Sequence, residues 1–390
     1  MVAAFQFSRL PQIYFGSGRV RLLPGLVKWY GSEIILVTGR SSFIDSPNAA
    51  PLLDSLRLQG VRYHHVIVPD EPSPETIDNI TGAFRNEKIT AVVAIGGGSV
   101  IDAGKAVSAM MYRDGTVMDY LEVVGTREHP GTKLPFIAVP ATSGTGSEAT
   151  KNAVISRTGK NGFKRSLRHE NFVPDIAIVD PVLTLTCPAD ITAAGGMDCF
   201  TQLTESYLSG KSTEYTDALA LEGIKAVRAS LLKCFRDGND IDARTGMSFA
   251  ALTSGICLAN AGLGAVHGFA SAIGGLFRIP HGVICGTLMA SANSITIREL
   301  RKLKTNPAAL AKYAELGRLF AEKSGRSDKF YIDSFIEFLY RLTYELRLPR
   351  LGDYDLTEVD LVMISKSTDV KNNPVMLGQE ELFGILKERL

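Results

Sequence analysis

Two histidines, His267 and His281, stand fourteen positions apart in VHGFASAIGGLFRIPHG, each directly before a glycine, where a neighbouring chain can approach closely. Upstream, GMDCFTQLTE carries Asp198 and Gln202 four positions apart, which places an acid and an amide on one helix face, one turn above the other. Oxygen and nitrogen donors of this kind can converge on one first-row cation such as Fe2+ or Zn2+, with a position left for substrate. A lone histidine in an apolar helical stretch ordinarily reads as a hydrogen-bonded core residue. The chain has only six histidines, and two of them share the same dipeptide, which sharpens the case for a joint role.

Two glycine-rich loops are the second feature. In AVVAIGGGSVIDAGKAV, Gly96, Gly97, Gly98 and Ser99 follow an apolar run and precede a helical pattern. Backbone N–H groups there can close on a phosphate, and the helix N-terminus favours the negative charge. The loop departs from a Rossmann fingerprint, because Ile101 stands where the third glycine or alanine belongs. It also departs from a P-loop, since Gly104-Lys105 comes too late and Ala106 replaces the magnesium-binding hydroxyl. In PATSGTGSEAT, residues 140–150, Thr142, Ser143, Thr145 and Ser147 supply hydroxyls between glycines. Two such loops after neighbouring parallel strands suit a pyrophosphate and a nicotinamide ribose.

The elements that must position these groups fall into two kinds. Short Val- and Ile-rich runs at 33–39, 63–69, 91–97, 136–142 and 176–181 end on Gly, Pro or Asp, as buried parallel strands do. Helical patterns at 49–59 and 74–87 lie between them, so an α/β arrangement with a parallel sheet is expected. Beyond about residue 185 the spacing changes to three and four, over 214–235, 243–262, 308–324, 331–346 and 356–366, which implies a helical bundle. The expected domains are a Rossmann-like dinucleotide-binding unit, 1–184, and an all-helical metal and substrate unit, 185–390, with the ligand crevice between them.

Composition narrows the function classes. The 390 residues are 45% hydrophobic and 21% charged, values of a globular chain rather than a disordered one. A net charge of +1 gives no reason to expect nucleic acid or an anionic membrane as partner. The five cysteines are scattered without a CxxC pair, the pattern of free thiols in a reducing compartment. No apolar run approaches the roughly 18 residues that span a bilayer, and the N-terminal segment lacks secretory-signal features. A cytoplasmic protein is expected.

Taken together, GGGSVIDAGK, PATSGTGSEAT and the two HG histidines resemble the iron-containing, or group III, alcohol dehydrogenases, with a dehydroquinate synthase-like fold, over nearly the whole chain. The resemblance implies NAD(P)-dependent oxidation of alcohols or reduction of aldehydes and ketones, and a homodimer or larger homo-oligomer. It implies that Gly97, Gly98, Ser99 and Asp102 contact the pyrophosphate, and that Thr142, Thr145 and Ser147 surround the nicotinamide and its ribose. Lys164 matches a lysine directed at the cofactor ribose. Asp198, His267 and His281 match metal ligands, with Gln202 where the family carries a further histidine.

Three departures shape the expected chemistry. The Gln202 carbonyl is a weaker ligand than imidazole, which leaves the metal's identity and occupancy open. Ser271 stands where many relatives place a second histidine that relays a proton; serine can hold a water chain but does not titrate near neutrality. Gly39 stands where NAD-using relatives often place an aspartate, so no carboxylate repels a 2′-phosphate, and Arg40 with Ser41 can contact one. The expectation is NADP in preference to NAD, or use of both. Phe163, Phe269 and Leu276 are candidates for an apolar substrate pocket, though core positions suit them better. Other readings of the same residues are a maleylacetate reductase-like enzyme anchoring an acidic substrate through Arg278, a catalytically silent nucleotide-binding subunit, and a dehydroquinate synthase-like lyase.

Overall fold

A computed structural model describes residues 4–159, 162–370 and 372–390. The strands are β1 (Gln12–Phe15), β2 (Glu33–Thr38), β3 (Arg62–Ile67), β4 (Ala91–Gly96), β5 (Phe136–Pro140), β6 (Asn152–Arg157), β7 (Phe163–Arg168) and β8 (Ile176–Val179). The helices are α1 (Leu23–Val27), α2 (Ala49–Leu58), α3 (Pro74–Phe84), α4 (Gly98–Met110), α5 (Ala189–Leu208), α6 (Glu214–Arg236), α7 (Ile241–Ala261), α8 (Ala265–Leu276), α9 (His281–Leu303), α10 (Pro307–Phe320), α11 (Asp328–Glu345), α12 (Glu358–Ser367) and α13 (Gln379–Lys387).

A six-stranded sheet in the order β1-β8-β5-β4-β2-β3 organises the N-terminal half, with every pairing parallel. The apolar runs are continuous because alternate residues feed different cores. Ile35, Val37, Val92, Ala94, Phe136 and Ala138 pack beneath α3 and α4. Ile34, Leu36, Val93, Ile95, Ile137 and Val139 face the other way, against residues of α1 and α2. Burial on both faces removes the polar alternation of a half-exposed strand. The chain winds from β2 outward to β3, then returns to β4 on the other side of β2. Open parallel sheets place ligands at the carboxyl ends of the strands where this order reverses.

Two features lay outside the apolar-run pattern. Edge strand β1 has only four residues, and β6–β7 form a separate antiparallel hairpin whose FKRSLR strand is largely polar. The hairpin rests against α8, so it links the sheet to the helical half.

From Ala189 onward the described residues form helices and connecting loops, with no strand. At their centre α5 is buried along most of its length, against α6, α7 and α9. It nevertheless carries Asp198, Thr201, Gln202, Thr204 and Glu205, all buried. A polar stripe on a buried helix calls for partners, since an unpaired buried polar group is costly. The chain breaks between α7 and α8, which meet at 98°. That turn brings His267, in the first turn of α8, onto the polar stripe of α5. No single described helix is long and apolar enough to cross a membrane.

Candidate active site

On α5, Asp198 and Glu205 straddle Gln202 at i, i+4 and i+7, one continuous face. Glu205 serves two donors. Its Oε1 accepts the Val266 N–H at 2.7 Å, satisfying an otherwise free amide at the start of α8, and its Oε2 accepts from His267 Nδ1 at 2.7 Å. A carboxylate only accepts, so the proton of a neutral His267 ring sits on Nδ1 and its Nε2 is an acceptor, with the Cys285 thiol within reach at 3.7 Å. An outer carboxylate on an imidazole is the arrangement that orients a metal-binding histidine.

Nε2 of His267 lies 3.3 Å from Asp198 Oδ1, and Nε2 of His281 lies 3.5 Å from the same oxygen. Despite these neighbours, Asp198 Oδ1 has no hydrogen-bond partner, and His281 Nδ1 has none either. The other Asp198 oxygen, Oδ2, accepts from Gln202 Nε2 at 3.2 Å. Cys285, one turn beyond His281 on α9, places its Sγ 3.7 Å from Nε2 of each histidine. The four ligand atoms lie within 4.8 Å of one another. Asp198 is 1% exposed, and the His281 side chain, at 27%, is the open side of the cluster.

The electrostatics follow from burial and neighbours. Burial opposes ionisation of Asp198, yet His281 and His267 hold it well below the ordinary carboxylate range. Burial also opposes protonation of His267, but Cys285, Asp198 and Glu205 outweigh it and raise its pKa. His281 is lowered to about 4, chiefly by burial. Burial pushes the Cys285 thiol up to about 12. A buried anionic oxygen without a donor, facing two imidazole nitrogens, fits a cation.

Gln202, expected as an oxygen ligand, presents its amide nitrogen to Asp198 in this structure. Its amide N–H faces Asp198 because a carboxylate cannot donate, so its carbonyl is turned to Ser254, whose Oγ lies 3.1 Å from it and 2.8 Å from the Ala251 carbonyl. It anchors Asp198 instead. Ser271 is exposed, and its hydroxyl donates at 3.0 Å to the His267 carbonyl one turn back on the same helix. That proton is spent within α8, so Ser271 is poorly built for a relay. Phe269 is fully buried in the helical core, and Phe163 packs on the sheet core, so neither lines an open pocket; Leu276 is half-buried against the helical core.

The two glycine loops meet. A Cβ on Gly98 would fall 2.6 Å from the Thr145 side chain, and one on Gly146 would fall 2.5 Å from Gly255 of α7, so both positions admit glycine alone without rearrangement. Gly97, Gly98 and Ser99 are half-buried at the start of α4, which has no side-chain cap. The Val100 N–H turns back to the Gly97 carbonyl at 3.0 Å, whereas the Gly98 and Ser99 amides, at the sheet's point of reversal, have no acceptor among the described residues. Thr142 and Thr145 line the same loops and are half-buried. Gly39 and exposed Arg40 follow β2 on the other side of that point; Arg40 pairs with Asp70 at 3.2 Å.

Asp102 and Ser147 are directed inward. Ser147 donates its hydroxyl to Asp102, which also accepts from Val154 N–H at 3.1 Å. Fully buried Lys105 donates to the Ser147 carbonyl, Thr150 and the Asn152 carbonyl, binding the second loop to α4. Both residues expected to touch cofactor thus join the two glycine loops to each other. Lys164 pairs with Glu71, which also accepts from Ser156 Oγ at 2.9 Å. This pair stands near enough to His281 for its charges to act on that ring. Arg278 is exposed. A groove lined by Arg9, Arg113 and Lys133 lies at the opposite edge of the sheet, where β5 and β8 begin.

Glu205, Cys285, Ser254 and Lys105 were not singled out from the sequence. For two of them a signal existed: Glu205 is seven positions from Asp198 on the same helix, and Cys285 is four from His281.

Comparisons with known proteins agree with this architecture. The chain is 35% identical over 273 residues to long-chain-alcohol dehydrogenase 1 of Geobacillus thermodenitrificans, covering 70% of this chain and 68% of that protein. It is 30% identical over 393 residues to the NADPH-dependent butanol dehydrogenase of Clostridium saccharobutylicum, covering 98% and 97%. An alcohol dehydrogenase structure from Oenococcus oeni matches with a TM-score of 0.88 at 28% identity, covering 99% of this chain and 100% of that one. Residues 11–181 match the model of the iron-containing alcohol dehydrogenases, and residues 192–390 match that of the family's C-terminal region. The chain belongs to the iron-containing alcohol dehydrogenase family and is an NAD(P)-dependent oxidoreductase acting on CH–OH groups.

Proposed function

We propose that the crevice between the α4 N-terminus and the Asp198–His267–His281 cluster carries out reversible hydride transfer between NADP(H) and an aliphatic alcohol or its carbonyl product. The observation behind this reading is the orphaned Asp198 Oδ1 facing two imidazole nitrogens. The amides of Gly98 and Ser99 would hold the cofactor's pyrophosphate, and the hydroxyls of Thr142 and Thr145 its nicotinamide side. When bound, the nicotinamide would supply a hydride acceptor or donor, and Asp198, His267 and His281 would hold a cation that supplies Lewis acidity.

The protein's own residues prepare these sites. Asp198 contributes a fixed negative charge, Gln202 holds its outer oxygen, and Glu205 keeps His267 in the tautomer with Nε2 unprotonated. The open side at His281 admits the substrate and lets its hydroxyl proton reach water. Lys164, whose charge reaches His281, is already paired with Glu71, which leaves the exposed Arg278 as the anchor an acidic substrate of the maleylacetate type would need.

The preference for NADP rests on Gly39 and Arg40. The Arg40–Asp70 pair is exposed on both sides, so it holds the guanidinium weakly and leaves it free to meet a 2′-phosphate. The five free cysteines suit a cytoplasmic location. A homodimer or larger assembly rests on the family resemblance.

Steady-state reduction of aliphatic aldehydes with NADPH and with NADH tests the proposal. Turnover with a higher kcat/KM for NADPH is expected, and Gly39→Asp should move the ratio towards NADH by about tenfold or more. Binding of the nucleotide without aldehyde-dependent oxidation would favour a silent subunit instead.

A further inference from the structure

We infer that Cys285 is the fourth protein ligand of the metal centre, in the place the Gln202 carbonyl does not fill, and that its thiolate makes the site one for zinc rather than ferrous iron. The inference rests on the metal-centre reading above and goes beyond it by adding a residue and choosing the ion.

The distances carry the first half. Tetrahedral zinc with bonds of about 2.0–2.2 Å to nitrogen and oxygen and about 2.3 Å to sulfur has edges of about 3.3–3.5 Å between oxygen and nitrogen donors, and about 3.6 Å between nitrogen and sulfur. The Asp198 Oδ1 edges to the two histidines are 3.3 and 3.5 Å, and both Cys285 Sγ edges are 3.7 Å. Four edges of the donor set therefore agree with one tetrahedron to about 0.2 Å, the tolerance expected of a metal site. An S–H···N hydrogen bond also allows 3.7 Å, but one thiol proton serves only one imidazole, whereas Sγ lies at that distance from both.

The local sequence explains how Cys285 arrives there. His281 opens α9, and Cys285 lies one turn later on the same face, so one helix presents both side chains to Asp198. A Cβ on Gly282 would fall 2.4 Å from the Ala194 carbonyl, so glycine lets that first turn of α9 sit directly on α5. On the other side, Gln202 is committed to Asp198 Oδ2 and Ser254. The ligand set is then one carboxylate, two imidazoles and one thiolate.

Chemistry carries the second half. Thiolate is a soft ligand that favours zinc over hard-donor cations, and zinc already exceeds ferrous iron in the general affinity order. One carboxylate and one thiolate balance the divalent charge, which lowers the cost of burying the centre. On binding, the thiol S–H bond breaks, sulfur keeps the electron pair and bonds to the cation, and the proton leaves to solvent. No redox change is involved, and substrate enters on the His281 side as an added ligand.

Cobalt(II) is the probe. Chelator-treated protein reloaded with Co2+ should show a near-ultraviolet sulfur-to-cobalt charge-transfer band together with visible bands of tetrahedral intensity. The charge-transfer band should vanish in Cys285→Ser and persist in Gln202→Ala. Zinc affinity, measured against a chromogenic chelator, should fall at least about tenfold in Cys285→Ser, since loss of even an outer-shell partner costs that much. A wild-type cobalt spectrum without the charge-transfer band overturns the inference while leaving the metal centre in place. Cobalt binding that His267→Ala fails to weaken overturns the metal-centre reading itself. The wild-type spectrum decides the question even where a variant does not fold.

Discussion

Replacing Glu205 should loosen the metal centre without touching any metal ligand. Its buried carboxylate accepts two hydrogen bonds of 2.7 Å, one from the Val266 amide and one from His267 Nδ1. Bonds to a charged group contribute roughly 1.5–3 kcal/mol each, so Glu205→Ala gives up roughly 3–6 kcal/mol of interaction. Relief from burying the carboxylate returns part of that, leaving a net loss of stability of about 2–4 kcal/mol. The effect on metal is separate. Without an acceptor at Nδ1, the His267 ring can rotate or carry its proton on Nε2, and affinity should fall about 10–100-fold. Glu205→Gln is the sharper variant: its amide offers one acceptor oxygen to two donors and turns an N–H towards the other. Either donor left unpaired is costly, so the glutamine variant should also lose metal affinity while keeping the side chain's size. Chelator competition for zinc, alongside thermal unfolding of metal-free protein, reads the two effects independently. Unchanged zinc affinity in both variants, with the fold intact, would refute the role assigned to the Nδ1 bond.

Other outcomes follow from the same geometry. His267→Ala should abolish most turnover yet leave NADPH affinity, by fluorescence titration, within a few-fold of wild type; retained turnover in metal-free buffer would contradict the Lewis-acid assignment. Gly98→Ala places a methyl 2.6 Å from Thr145, and overpacking of about 1–3 kcal/mol should raise the NADPH dissociation constant about tenfold or more. Buried Glu148 has its pKa raised from 4.5 to about 7 by burial, so its contribution is full at low pH and lost as pH rises through about 7. Glu148→Gln should therefore be more stable to denaturant than wild type above pH 7, by up to about 3 kcal/mol, with the difference shrinking towards pH 5; a pH-independent difference would exclude ionisation as its cause.

The sheet was legible because its strands are buried on both faces. The five expected strands all occur, each within a residue or two of the expected bounds, and their continuous Val and Ile runs are what two opposed cores require. The β6–β7 hairpin was not legible, since FKRSLR has neither an apolar run nor a clean alternation, and its fold comes from pairing and from contact with α8. In the site, histidine-glycine pairs stand out by residue type, and the structure brings His267 and His281 to the same Asp198 oxygen. Side-chain direction is what the letters conceal. Asp102 and Ser147 have the composition of ligand-binding residues, and in this structure they bond to each other and to their own loops. Gln202 sits at a ligand's position in the chain, but its carbonyl is claimed by Ser254. Cys285 read as one of several scattered thiols because nothing in its neighbours marks it except a four-residue distance from His281.

Anomalous diffraction from zinc-loaded crystals soaked with NADPH addresses the central claim directly, namely that the polar stripe of α5 and the start of α4 meet at one reaction centre. The expected result is a single peak about 2.0–2.2 Å from Asp198 Oδ1 and from Nε2 of both His267 and His281, with the nicotinamide ring facing it and the pyrophosphate on Gly98 and Ser99. A peak elsewhere, or a nucleotide whose nicotinamide lies away from His267 and His281, would contradict it.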